Sequence, residues 1–239
     1  MRSDRGPATV VVCCGVPSGV SSGDFAGWAE IAARSRMPVT WAARPADMAA
    51  VVDVLSLKTA PFEVALSLDA GQLQSRPTLR REIATARAVA GTVECVAVAG
   101  TPSLEHRPLL VEQGVHTIAV GGFDAATRSN RRPPPAGWPC RSVVWGLWEV
   151  QSVREPPRPA IGRLLPWAVG PRVEPGTLTV VHLEPAAAGS RSELARFERL
   201  AAWIARQAGR VHAARLSDLP DLLRAAGQQD AASVLRQAA

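Results

Sequence analysis

Ala8-Thr9-Val10-Val11-Val12-Cys13-Cys14-Gly15-Val16 is the stretch that decides how this chain is organised. From Ala8 to Cys14 it is a strand-length run, rich in β-branched valine and without polar alternation. Such a run predicts a strand covered on both faces, as in a parallel sheet. Seven more runs of similar character follow: Pro38–Ala43, Phe62–Leu68, Thr92–Ala99, Val115–Val120, Ser142–Leu147, Thr177–Leu183 and Arg210–Leu216.

The segments between the runs carry helix signals. Phe25–Ser35 follows Asp24, a predicted N-cap. Ser75–Ala90 has Pro77 in its first turn and Gly91 as its stop, with Leu79, Ile83, Ala86 and Ala90 on one stripe. Leu104–Gln113 ends at Gly114. In Ser190–Ala208, Ser190 and Glu193 have capping-box spacing, Leu194, Phe197, Leu200, Ala201 and Ile204 share a face, and Gly209 closes the segment. A helix over Leu219–Ala238, broken near Gly227, ends the chain. Strand and helix alternating this often predict an α/β fold with a parallel sheet, either a closed barrel or an open doubly wound sheet. A single domain over residues 1–239 is expected, with a core of about 8–220. The proline-rich stretches Arg131–Pro139 and Glu155–Pro175 are expected to be surface excursions.

Composition narrows the function classes. The formal charge of +6 invites a nucleic-acid partner, but Lys58 is the one lysine among 27 basic residues. The arginines are interleaved with acids, as in Arg196-Phe197-Glu198-Arg199, which suits solvated helix faces; no nucleic-acid partner is expected. No apolar stretch is long enough to span a bilayer, so no membrane partner is expected. The N-terminal apolar run is too short for a secretory signal. Cys13, Cys14, Cys95 and Cys140 show neither a CxxC pair nor zinc-ligand spacing. Reduced thiols and a cytoplasmic location are therefore expected.

In parallel α/β folds, chemistry gathers at the carboxyl ends of the strands. Those ends hold Cys14, Trp41, Asp69, the segment Trp145-Gly146-Leu147-Trp148-Glu149, and His182. Cys14, Asp69 and His182 would meet at one mouth if the strand register holds, a thiol, carboxylate and imidazole set suited to holding a transition metal or to serving as a nucleophile and its base. Strand-end cysteines are more often small buried hydrophobes, however, and an Asp before Ala-Gly is more often a turn former. Trp41, Trp145, Trp148 and Glu149 are the candidates for holding a ligand, since an indole face matches the apolar face of a sugar ring. The competing reading has the tryptophans packing as a lid on the core. His106, His116 and His212 are expected to be structural, and no phosphate-binding loop is present.

The order of elements resembles the polysaccharide deacetylase (NodB-homology) family over roughly residues 8–220. Met37-Pro38-Val39-Thr40-Trp41 is similar to that family's second strand. Glu112-Gln113-Gly114-Val115 resembles its helix ending before the next strand, and Val181-His182-Leu183 resembles its late strand ending in a site histidine. Leu216-Ser217-Asp218-Leu219 resembles its closing segment. The resemblance implies a distorted (β/α)7–8 barrel and the metal-assisted removal of acyl groups from amino sugars. The departures are specific. Where the family has an Asp-Asp pair, this chain has Cys13-Cys14-Gly15-Val16. Where the family has His-x-x-x-His, it has Ser67-Leu68-Asp69-Ala70-Gly71-Gln72. Where the family has an arginine and proline, it has Val98-Ala99-Gly100. Only His182 falls on a family position, and one histidine does not hold a metal. The expectation is a catalytically inactive or divergent deacetylase-like protein, without metal or cofactor, binding a carbohydrate-like ligand or a protein partner. The alternative is an active carbohydrate or amide hydrolase with a rewired Cys14/Asp69/His182 centre.

Overall fold

The computed structural model describes residues 7–69, 71–72, 75–98, 106–120, 140–144, 146–151, 153–154, 173, 175–183 and 190–225. The elements run β1 (Ala8–Gly15), α1 (Ser22–Ser35), β2 (Val39–Ala43), α2 (Met48–Ser56), β3 (Phe62–Leu68) and α3 (Arg76–Ala90). They continue with β4 (Cys95–Val98), α4 (Arg107–Glu112), β5 (Thr117–Val120), β6 (Cys140–Val144), β7 (Leu147–Gln151) and β8 (Val153–Arg154). The last are β9 (Leu178–Leu183), α5 (Arg191–Arg206), β10 (Val211–Ala214) and α6 (Leu219–Ala225).

Local chemistry accounts for most of these boundaries. Ser21, not Asp24, caps α1: its Oγ accepts from the Asp24 N–H at 3.2 Å and donates to Asp24 Oδ2 at 2.7 Å. The aspartate sits in the first turn, where its charge favours the helix dipole. Ser75 caps α3, and Gly91 ends it at φ +77°, a conformation glycine adopts without a Cβ penalty. Ser190 is the N-cap of α5, but the expected capping box does not form. The Ser190 hydroxyl lies 2.9 Å from that of Ser192, and Glu193 pairs with Arg196 instead.

Three elements differ from expectation, the short strand β8 (Val153–Arg154), which no run predicted, among them. The helix α2 was not predicted, because Met48–Ser56 is short, nearly all apolar and without a side-chain cap; Met48, Val51, Val54 and Leu55 are its buried stripe. The run Ser142–Leu147 is not one strand but the antiparallel hairpin of β6 and β7, with Gly146 at φ +81° between them. The proline-rich stretches, Trp145 and the chain beyond Ala225 lie outside the described residues, apart from Val173 and Pro175.

The strands form one sheet in the order β6-β7-β5-β4-β3-β2-β1-β9-β8, curled into a half-barrel, with β10 also on β1. All pairings except β6–β7 are parallel. One face packs against helices: Val10, Val12, Cys14, Val39, Trp41 and Leu66 share a cluster with Phe25, Trp28, Leu79 and Phe197. The other, concave face holds Val11, Cys13, Ala42, Ala65, Cys95, Ala97, Ala119 and Val180, with Leu216 and Leu219 from the closing turn. Small residues dominate there, as a curled sheet requires of its inner side.

Along one edge β1 changes partner. Its first half pairs with β10 (Ala8↔Val211 to Val11↔Ala214), while its end pairs with β2 (Cys13↔Thr40 to Gly15↔Ala42). The chain leaving β10 therefore passes under the start of β2 and β3, where it has no ladder partner. Side chains satisfy it. The Leu216 N–H donates to Glu63 Oε1 at 2.7 Å and to Thr40 Oγ1 at 3.1 Å, and the Ser217 N–H donates to Glu63 Oε2 at 3.2 Å. Thr40 also donates its hydroxyl proton to Glu63. A buried backbone donor without a partner costs about 1–3 kcal/mol, so Glu63 and Thr40 close a seam that sheet geometry leaves open.

Candidate functional site

His182, near the end of β9, is wholly buried and lies in register with Cys13 of β1. Residues in register on parallel strands point to the same side, so both face the concave surface. The position of Gly15 supports this: a Cβ there would sit 3.8 Å from His182 Cε1 and 3.9 Å from Nε2. The same row continues through Thr40 to Glu63, since Cys13 pairs with Thr40 and Thr40 with Glu63. Imidazole, thiol, hydroxyl and carboxylate thus lie on four neighbouring strands, β9, β1, β2 and β3.

The other residues proposed from sequence do not gather there. Cys14 alternates with Cys13 and so faces the helices, within the cluster that holds Phe25 and Trp28. Trp41 is on that side too, its ring 4.8 Å from Phe25 and 5.7 Å from Phe197. It is a core residue. Asp69 stands beyond the end of β3, exposed, with its carboxylate accepting from the Gln72 N–H at 2.9 Å while Gln72 Oε1 accepts from the Asp69 N–H at 3.0 Å. This is the turn-forming role. Glu149 is turned outward and paired with Arg107 at 2.9 Å, both side chains buried. Trp148 is on the concave face but at the start of β7, in register with Thr117, toward the amino end of the sheet. Trp145 lies outside the described residues. The expected Cys14/Asp69/His182 set is therefore not assembled: one member faces the helices and one is held in a turn.

Cys13 and Glu63 are the residues the sequence reading missed. The signal for Glu63 was present, a lone carboxylate inside the apolar run Phe62–Leu68. Choosing Cys13 over Cys14 needed the facing of the strand, which an unalternating run conceals.

Burial governs the electrostatics. The Cys13 thiol is pushed far above its ordinary range, first by desolvation and then by the nearby Glu63 carboxylate. Cys14 and Cys95 are raised by burial as well. The Glu63 carboxyl is raised by desolvation, against the opposing pull of its hydrogen bonds from Ser217, Thr40 and Leu216. The thiols are thus protonated at neutral pH and are poor nucleophiles.

No protein-family profile and no curated protein sequence matches the chain. Solved structures do. A candidate polysaccharide deacetylase from Mycobacterium smegmatis superposes with a TM-score of 0.58 at 14% identity, covering 95% of this chain and 93% of that one. A second candidate polysaccharide deacetylase, involved in O-antigen biosynthesis in Bordetella bronchiseptica, gives a TM-score of 0.50 at 12% identity over 90% of both chains. A family 4 carbohydrate esterase pseudoenzyme from Bacillus anthracis also matches, with a TM-score of 0.44 at 12% identity, over 89% of this chain and 65% of its own. The first two likenesses establish the fold: an α/β half-barrel of the polysaccharide-deacetylase type, as the order of elements implied.

Metal-assisted deacetylation would need about three protein ligands converging on one point. Among the described residues no three His, Cys, Asp or Glu side chains are so placed. The neighbour of His182 is a protonated thiol, and Asp69 is committed to its turn. These residues do not fit a divalent metal.

Proposed function

We propose that this protein is a catalytically inactive or divergent relative of the deacetylases, binding a carbohydrate-like ligand at the carboxyl-end mouth around His182. The observation that carries the reading is the Cys13–His182 pair. The one histidine at a family-like position stands beside a thiol that burial keeps protonated, where hydrolysis would call for a carboxylate. The carbohydrate class rests on the fold likeness. A nucleic-acid partner is disfavoured by the mixing of signs on the surface, as in the pairs Arg34–Glu198, Arg80–Glu112 and Arg81–Glu82. The buried free thiols Cys13, Cys14 and Cys95 support a reducing compartment such as the cytoplasm, and no described helix is long and apolar enough to cross a membrane.

Calorimetric titration with N-acetylglucosamine oligomers, alongside an acetate-release assay with zinc, cobalt or manganese added, tests this. Saturable binding without acetate release is expected. Metal-dependent acetate release that disappears in His182→Ala would overturn the proposal.

A further inference from the structure

A cleft of about 410 Å3 opens beside the first residues of β3 and β4, and Glu63, the last member of the row that begins at His182, stands in its wall. It is of a size that takes small ligands. Val52 and Leu55 of α2, with Phe62 and Val64 of β3, supply an apolar wall; Glu63, Glu94 and Cys95 supply the polar part.

The charges there do not balance. Lys58 and Arg215 also line the cleft; each has an acidic partner of its own, and the Arg215 charge also acts on Glu63. Lys58 Nζ is 2.6 Å from Glu30, and Arg215 holds Asp218 through two contacts of 2.7 and 3.2 Å. Glu94 is exposed, and among the described residues its carboxylate has no cation; its backbone carbonyl accepts from the His116 and Thr117 N–H groups. Glu63 is bound by neutral donors alone, the Thr40 hydroxyl, the Cys95 thiol and the N–H groups of Leu216 and Ser217. The C-terminal ends of α2 and α3 also reach the cleft, at Leu55-Ser56 and at Ala90, and each adds partial negative charge. A half-buried carboxylate that desolvation opposes is relieved by a cation brought beside it. A perturbed carboxyl at the wall of a cavity is also a common mark of a binding site.

We propose that this basal cleft binds a small aliphatic ammonium ion, with its charge held by Glu63 and Glu94 and its hydrocarbon body against Val52, Leu55 and Phe62. Its carboxylate Glu63 also ends the row that begins at His182. An ammonium competes with the proton for Glu63, so affinity rises as pH rises through the carboxyl range and is lost as pH falls.

The probe is 1,4-diaminobutane, titrated into the full chain at low ionic strength and followed by amide chemical shifts, with 1,4-butanediol as the neutral isostere. Saturable shifts centred on residues 56–63 and 92–95 are expected with the diamine and not with the diol. Glu94→Gln, at an exposed position, weakens the diamine by about tenfold while leaving the fold intact. Absence of saturable shifts with the diamine would overturn the proposal. So would an equal response to the diol, or a Glu94→Gln affinity within about twofold of the parent.

Discussion

His182 and Cys13 face the same hollow from adjacent strands, in register and both wholly buried. Cys14, one residue on, turns its thiol into the layer under the helices. Two adjacent cysteines therefore occupy unlike surroundings: a row of polar side chains for Cys13, an aromatic core for Cys14.

Serine replaces cysteine almost isosterically and so measures that difference. Cys14→Ser places a hydroxyl in the aromatic layer of Phe25 and Trp41, where its nearest acceptor is the Gly15 carbonyl, 3.8 Å from the Cys14 sulfur, and is expected to cost about 1–3 kcal/mol. Cys13→Ser places the hydroxyl beside Thr40 and His182, where a partner is within reach, and is expected to cost less than about 1 kcal/mol. Urea denaturation of the two variants gives the comparison; equal losses would show that the facing of β1 is wrong.

Thiol chemistry offers a second check. Burial pushes Cys13, Cys14 and Cys95 upward, so none carries thiolate at neutral pH. Iodoacetamide labelling with peptide mapping should leave all three unmodified in the native protein and modify all three in urea. Rapid native labelling of Cys13 would mark it as an activated nucleophile.

Arg107 and Glu149 form a buried ion pair between α4 and β7, with side chains 5% and 3% exposed. Removing one partner strands the other charge, so Glu149→Ala is expected to destabilise the fold by about 3–5 kcal/mol. Replacing the pair together, Arg107→Met with Glu149→Leu, should recover much of that loss. A thermal melt of the single and double variants separates a buried pair from an exposed one, for which the single variant would cost under about 1 kcal/mol.

The seam under β2 and β3 carries a pH signature. Desolvation holds the Glu63 carboxyl above its ordinary value in the folded chain. The native state then binds this proton more tightly than the unfolded state does. Its contribution to stability is present at acid pH and is lost as pH rises through the folded value. Glu63→Gln keeps an acceptor for the Leu216 and Ser217 N–H groups but does not titrate. Its stability relative to the parent should therefore improve from acid toward neutral pH, as read from urea midpoints across the carboxyl range. A relative loss over that range would reverse the assignment.

Much of this molecule was legible in its residues. The unalternating runs Ala8–Cys14 and Phe62–Leu68 announced strands covered on both sides, and the serine and glycine punctuation around α3 marked that helix to within a residue. Burial of apolar surface dictates such patterns locally, so sequence displays them. The lack of a carboxylate in Cys13-Cys14-Gly15-Val16 and of a histidine in Ser67–Gln72 was likewise a matter of residue identity. Tertiary structure alone decided which side chains meet. A strand buried on both faces is apolar on both, and nothing in its pattern tells Cys13 from Cys14 or the inner side of Trp41 from the outer. Those facings follow from register between strands distant in the chain, as does the joint where β1 passes from β10 to β2. That joint gives Glu63 its place at the seam.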